Sequence, residues 1–443
     1  MDNIETIFKT PAGVIWGWED GPVLRATGIP YASAKRFGKP VAFPVFKDPF
    51  IAKSKSAAPV QTPSEMTNAV LGFDMLDGLA MDECCLNLSI TMPKTVHEKD
   101  HLPVMIWIYG GSYTTGAGDS DAYDPKNLVS EQEVIVVNIN YRLGLLGFLG
   151  GNPGRPSNLG LLDIISAVNW VKKNIHAFKG DPDNITVFGQ SAGGDAVAHL
   201  LISDGMEGLI KRVIIQSAPL ALSRKKQKMI AAMKEMSSEI TSDTPLPAIL
   251  EMQAAIVKKM KRFGQKGGMP FGVEYGESPL PQERDAAKVW KERARNTEVL
   301  IGCAANELAL LTPFSKPLSL LENVPFIGKP ILRVLIKIYT DSIYIKPATK
   351  LARLLGSQRE APVYQYLITW GQENGYGPVH IIDIPLLFGD ENTWKKSMLT
   401  RGIAWPEVLR DGRQVREVWG NFARTGRIAD HLNLPGLLKF RRI

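Results

Sequence analysis

A chain of 443 residues with 44% hydrophobic composition has enough apolar side chain for a large buried core, which excludes disordered and low-complexity classes. Its formal charge of +7, from 52 basic and 45 acidic residues, is a modest excess on a large surface. Part of that excess is local, at 223–228, 258–262 and 439–442; these runs read as solvated helix faces, since no aromatic interleaving or binding motif accompanies them, and no nucleic-acid partner is expected.

Cys84, Cys85 and Cys303 are too few for a disulfide-dense scaffold and fit a reducing compartment. Met1-Asp2-Asn3-Ile4-Glu5 carries acid where a secretory signal carries base, and no apolar core follows before Lys9 and Pro11. The most apolar region, 325–336, is broken by Lys329, Pro330 and Arg333, well short of the roughly 18 uninterrupted apolar residues of a spanning helix. A cytoplasmic protein without an integral membrane segment is expected, either monomer or homodimer.

In chain order, 104–109 reads as a buried strand and 134–139 as the next. The segment 160–174 is helical, with Ile164, Ala167, Val168 and Val171 on one face. Strands follow at 185–188, 212–216, 298–301 and 363–368. Short apolar runs alternating with helical periodicity predict an α/β fold with a mostly parallel central sheet flanked by helices. The stretches 224–263 and 313–355 are helical without strand alternation; they read as cap insertions over a site within a single domain spanning 1–443.

Phe188-Gly189-Gln190-Ser191-Ala192-Gly193-Gly194 contains G-x-S-x-G, the spacing that puts a serine on a sharp strand-to-helix turn with its hydroxyl above the sheet. Alone this is a weak signal in a chain with 40 glycines. Context strengthens it: a β-branched strand precedes Ser191, and a helix follows whose positive dipole end points at the serine. Upstream, Tyr109-Gly110-Gly111-Ser112 lies directly after a strand, where acyl-transfer chemistry places backbone N–H donors for a developing oxyanion. A plain glycine-rich turn would look the same, but the position upstream of the serine favours the donor loop.

These residues resemble the type B carboxylesterases, which include bacterial para-nitrobenzyl esterases, animal carboxylesterases and cholinesterases. The likeness runs almost from end to end: Thr27-Gly28-Ile29-Pro30-Tyr31, Asn140-Tyr141-Arg142-Leu143-Gly144, Asn158-Leu159-Gly160-Leu161-Leu162-Asp163, Gly180-Asp181-Pro182 and Trp419-Gly420-Asn421-Phe422-Ala423-Arg424-Thr425-Gly426. The resemblance implies an α/β-hydrolase fold and supplies partners for Ser191. Ile301-Gly302-Cys303-Ala304-Ala305-Asn306-Glu307 is similar to the strand end that carries the family's acid, with Leu308 where glycine is usual. His380, before Asp383-Ile384-Pro385-Leu386-Leu387-Phe388-Gly389, is similar to its histidine loop. The family pattern implies oxyanion donors at Gly111, Ser112 and Ala192, with Gly110, Gln190 and Ser217 in support.

Several departures bear on substrate. Gln190 replaces the family's usual glutamate, and no tryptophan lies between Pro59 and Cys85, so choline esters are disfavoured. Cys84 and Cys85 resemble a family signature but have no upstream cysteine to pair with. Asp195, one helical turn from Ser191, needs a neutralising donor. The cap between 222 and 267 reads as trimmed, which predicts a wider gorge, and Leu310, Leu311, Phe314, Ile327 and Leu332 are candidate apolar walls.

The expected function is a serine carboxylic ester hydrolase for small to medium apolar esters, working through an acyl-serine intermediate without metal or organic cofactor. Amide, carbamate or lactone hydrolysis, or biosynthetic acyl transfer, would use the same side chains. A non-catalytic scaffold would keep the fold alone.

Overall fold

The computed structural model describes residues 6–96, 101–151, 154–357, 361–429 and 432–443. Met1 to Glu5, on which an expectation was formed, lie outside these residues.

Continuous apolar runs form strands buried on both faces, and these organise the molecule around a twelve-stranded sheet. Its main path comprises β1 (Thr6–Thr10), β2 (Gly13–Asp20), β3 (Val23–Pro30), β4 (Asn87–Pro93), β5 (Leu102–Ile108), β6 (Ile135–Ile139), β7 (Gly180–Gln190), β8 (Arg212–Gln216), β9 (Glu298–Ala304), β10 (Val363–Ile368) and β11 (Leu438–Arg442). The order is β1-β2-β3-β4-β6-β5-β7-β8-β9-β10-β11, and Phe50–Ile51 pairs with β2 at the side. β5 to β10 form a parallel block, with registers such as Val104↔Ile185 and Val213↔Val299. β1 to β4 continue it antiparallel on one side, and β11 pairs antiparallel with β10 on the other.

All six expected strands are present, and β8 and β10 have the expected limits. The segment 439–442 is a correction: it lies within edge strand β11, not on a helix face. Its basic residues alternate with Leu438 and Phe440, and Arg441 Nε donates to Gln365 Oε1 at 2.9 Å across the strand pair.

The helix Leu159–Asn174 buries Ile164, Ala167, Val168 and Val171, as its periodicity requires. It also carries Asp163, fully buried and matched by Arg142: Arg142 Nε and Nη2 donate to Asp163 Oδ2 and Oδ1 at 2.8 and 2.7 Å. A bidentate pair of this kind satisfies both charges where water cannot. Arg416, on the helix Trp405–Thr425, grips Glu131 in the same fork, at 2.7 and 2.8 Å.

The first expected insertion folds as the helices Gln227–Met236 and Leu246–Met260. Within it the solvated reading of 223–228 fails at Lys226, which is buried and donates to the carbonyls of Met269 and Phe271 at 3.0 and 3.1 Å. Burial lowers its ammonium pKa to about 8. The second insertion folds as Lys316–Glu322, Gly328–Thr340 and Lys346–Gly356.

Candidate active site

β7 ends at Gln190, and the helix Ala192–Leu200 starts one residue later. The turn between them forces Ser191 to φ 58°, ψ −124°, a strained conformation for a residue with a side chain. The flanking glycines are steric necessities: a Cβ on Gly193 would lie 2.0 Å from Ile108 O, and one on Gly189 would lie 2.7 Å from the same oxygen. β5 thus packs directly beneath the turn. The backbone N–H of Ser191 donates to Gln216 O on β8 at 2.9 Å, which fixes the serine against the next strand.

The loop after β9 supplies Glu307 and the loop after β10 supplies His380. The structure brings them to Ser191 in a continuous chain: His380 Nε2 lies 2.8 Å from Ser191 Oγ, and His380 Nδ1 is hydrogen-bonded to Glu307 Oε2. Glu307 is fully buried, and its other oxygen accepts the N–H of Ala304 at 2.7 Å. The backbone N–H of His380 donates to Glu307 O at 3.1 Å, so the two loops are joined along main chain as well as side chain.

Gly110, Gly111 and Ser112 line the same pocket as Ser191. Gly111 takes φ 108°, and a Cβ there would lie 2.1 Å from Thr115 O; Ser112 and Tyr113 follow with φ 56° and 62°. Among the described residues, the N–H groups of Gly111, Ser112 and Ala192 have no protein acceptor. Unpaired N–H groups beside a serine hydroxyl suit a transient negative oxygen.

Gln190 is buried, with its Nε2 unpaired among the described residues. Ser217 is buried at φ 48° and makes no side-chain hydrogen bond to Ser191, Glu307 or His380 among them. The expected donor for Asp195 is the Tyr113 hydroxyl, at 2.7 Å from Oδ2. This bond ties the loop 110–113 to the helix that begins after the serine.

Asp383, which the sequence had offered only as part of a loop match, is a carboxyl close enough to Glu307 and His380 to feel their charge. It is buried three residues from His380, and its Oδ2 accepts from Gln216 Nε2 at 2.5 Å. Gln216 is held in turn by Trp419 Nε1 at 3.2 Å. Burial pushes the Asp383 carboxyl up to about 6; the charge of Glu307 adds to the rise, and the Gln216 bond opposes it. The interleaved pattern of Gln216, Asp383 and Trp419, each from a different part of the chain, gives no local signal.

The space beside Ser191 is about 120 Å³. Met66, Val70 and Leu71, from the helix Glu65–Leu71, form part of its wall with Ile381, Ile384 and Trp394. Of the wall candidates only Leu310 lines it. Leu332 is buried elsewhere, while Leu311, Phe314 and Ile327 are exposed. The surrounding segment turns apolar side chains outward, with Phe326 at 98% exposure.

A family model described as the carboxylesterase family matches residues 5–321. The chain is 33% identical to a probable N-octanoylanthranilate hydrolase of Rhodococcus erythropolis over 96% of this chain and 94% of that one. It is 29% identical to the para-nitrobenzyl esterase of Bacillus subtilis over 95% and 90% of the two chains. Among solved structures, a thermophilic PNB esterase superposes with a TM-score of 0.82 at 27% identity, covering 99% of this chain and 97% of that one. With the fold, the strand-to-helix serine and the matched length in agreement, the chain belongs to the carboxylesterase family and is a serine ester hydrolase of the α/β-hydrolase fold.

Proposed function

We propose that Ser191, His380 and Glu307 form the catalytic triad. The carrying observation is the unbroken hydrogen-bond chain from the Ser191 hydroxyl to buried Glu307, with three N–H groups in the adjoining turn and loop that have no protein acceptor among the described residues. In this reading His380 Nε2 takes the proton as Ser191 Oγ attacks the ester carbonyl. Glu307 fixes the ring tautomer and stabilises the imidazolium. The N–H groups of Gly111, Ser112 and Ala192 hold the oxyanion. His380 then returns the proton to the leaving alcohol, water attacks the acyl-serine by the same route, and the acid departs.

The apolar wall of Met66, Val70, Leu71 and Leu310 supports small to medium apolar esters as substrates. The octanoyl group in the Rhodococcus relative's name agrees with an aliphatic acyl portion. Three free cysteines, one of them the exposed Cys84, support a reducing, cytoplasmic setting. Among the described residues no helix is long and apolar enough to cross a membrane.

The test is hydrolysis of short and medium p-nitrophenyl esters by the parent and Ser191→Ala, together with intact mass after a fluorophosphonate probe. The expected result is a loss of turnover of roughly 10⁵-fold or more in the variant and a single adduct on the parent. Well-folded parent protein with neither turnover nor adduct would refute the assignment.

A further inference from the structure

A cavity larger than the one at Ser191 lies elsewhere in the molecule. It is a groove of about 790 Å³ that, among the described residues, shares no lining residue with the catalytic pocket. It runs between the helices Ala286–Arg293 and Lys346–Gly356 and is floored by the C-terminal end of Ala192–Leu200. Its size falls in the range of small-molecule sites.

Composition sets it apart. Leu220, Trp290, Leu351 and Leu354 supply apolar surface. Trp290 is locked in place by its Nε1 bond to Ala198 O at 2.9 Å, and the buried His199 by bonds to Asp195 O at 2.7 Å and Tyr275 Oη at 2.8 Å. Around this fixed floor stand Arg224, Lys225 and Lys266 from one part of the chain and Lys291, Lys346, Lys350 and Arg353 from another. No Asp or Glu lines the groove among the described residues, and of these seven cations only Arg224 has an ion pair there, with Glu283 at 3.4 Å. Lys346, Lys350 and Arg353 fall at i, i+4 and i+7, one face of one helix. Like charges at that spacing weaken a helix, so the face is one that a bound anion would stabilise.

An inorganic anion would leave the apolar floor bare, and a neutral lipid would leave the cations uncompensated. We propose that this groove is a second ligand site, separate from the ester-cleaving centre, that binds amphipathic monoanions of the fatty carboxylate class. The aliphatic body lies over Trp290, Leu351 and Leu354, and the carboxylate sits among the lysines. The long lysine stems add apolar cover of their own.

The test uses full-length protein whose Ser191 has first been blocked with the fluorophosphonate, so that binding at the catalytic pocket does not contribute. Dansyl-undecanoate is titrated by fluorescence, with dodecanoate, dodecanol and sodium sulfate as competitors. The expected results are saturable binding, displacement by dodecanoate but not by dodecanol or sulfate, and weakening as salt is raised. In Lys291→Glu/Lys350→Glu the dissociation constant rises roughly tenfold or more. The unfolding midpoint of this variant stays near the parent's, because both side chains are exposed. Absence of binding to the blocked protein, equal displacement by dodecanol, or an unchanged constant in a variant of normal midpoint overturns the proposal. If instead the unblocked protein fails to take the fluorophosphonate, the catalytic assignment fails and the groove is unaffected.

Discussion

Ser191 holds φ 58°, ψ −124° because bonds on all sides leave it no other course: its N–H is fixed to β8, and the next residue begins a helix packed on β5. The strain lifts the hydroxyl toward His380. Glu307→Gln keeps the shape of the next link while removing its charge and its preference for one ring tautomer. Turnover of a p-nitrophenyl ester is expected to fall by about 10³ to 10⁴-fold with KM little changed, measured by steady-state kinetics. Tyr113 offers a different experiment. Its hydroxyl is the donor to Asp195 Oδ2, while Oδ1 is already unpaired among the described residues, so Tyr113→Phe leaves a buried carboxylate without that donor. A loss of about 1–3 kcal/mol is expected in urea unfolding. Legibility at this scale follows locality. Ser191 and His380 sit in contiguous motifs. Asp383, also in a motif, gave no hint of its role, because that role depends on Gln216 and Trp419, brought to it only by folding.

Elements were legible where burial on both faces makes the residue pattern simple. β5, β6, β8 and β10 are buried along almost their whole length and stand out as apolar runs. β2 and β3 hold partly exposed residues along their length, which blurs the alternation, and β11 was masked by its arginines. The helix Gly328–Thr340 had a clear helical pattern, but pattern alone did not tell that Ile331, Val334 and Ile338 face outward. Asp383 stands just before the helix Ile384–Phe388, and its burial gives a pH dependence to folding. Because its pKa is raised from 3.8 to about 6, between those values the folded chain keeps a proton that the unfolded chain has released. The site therefore favours folding most below 3.8 and loses that advantage as pH rises through 6, to a cost of about 3 kcal/mol at neutral pH. In Asp383→Asn this part of the pH dependence is expected to vanish, with stability above pH 6 higher than the parent's, as read from urea unfolding across the range. A parallel pH profile in the variant would show that another group is responsible.

At the scale of the whole molecule, three side chains meet from loops after β7, β9 and β10, and β8 lies between the first two. The parallel block was legible from periodicity; that its ends converge within hydrogen-bond distance was implied by family likeness, because sequence separation carries no distance. The arrangement draws on several elements at once, since the serine is fixed against β5 and β8 and the histidine against the Glu307 loop. Loss of fluorophosphonate labelling and change of tryptophan fluorescence are accordingly expected at the same urea midpoint. Labelling that fails well before the fluorescence changes would mean that the loops melt separately from the sheet.

The same dependence turns the serine into a counter. A molecule with a slipped strand has the same mass and absorbance as a correct one, but its hydroxyl, ring and carboxylate no longer line up. The moles of probe taken up per mole of chain therefore give a census of correctly assembled molecules in a preparation, and so an assay for refolding yield.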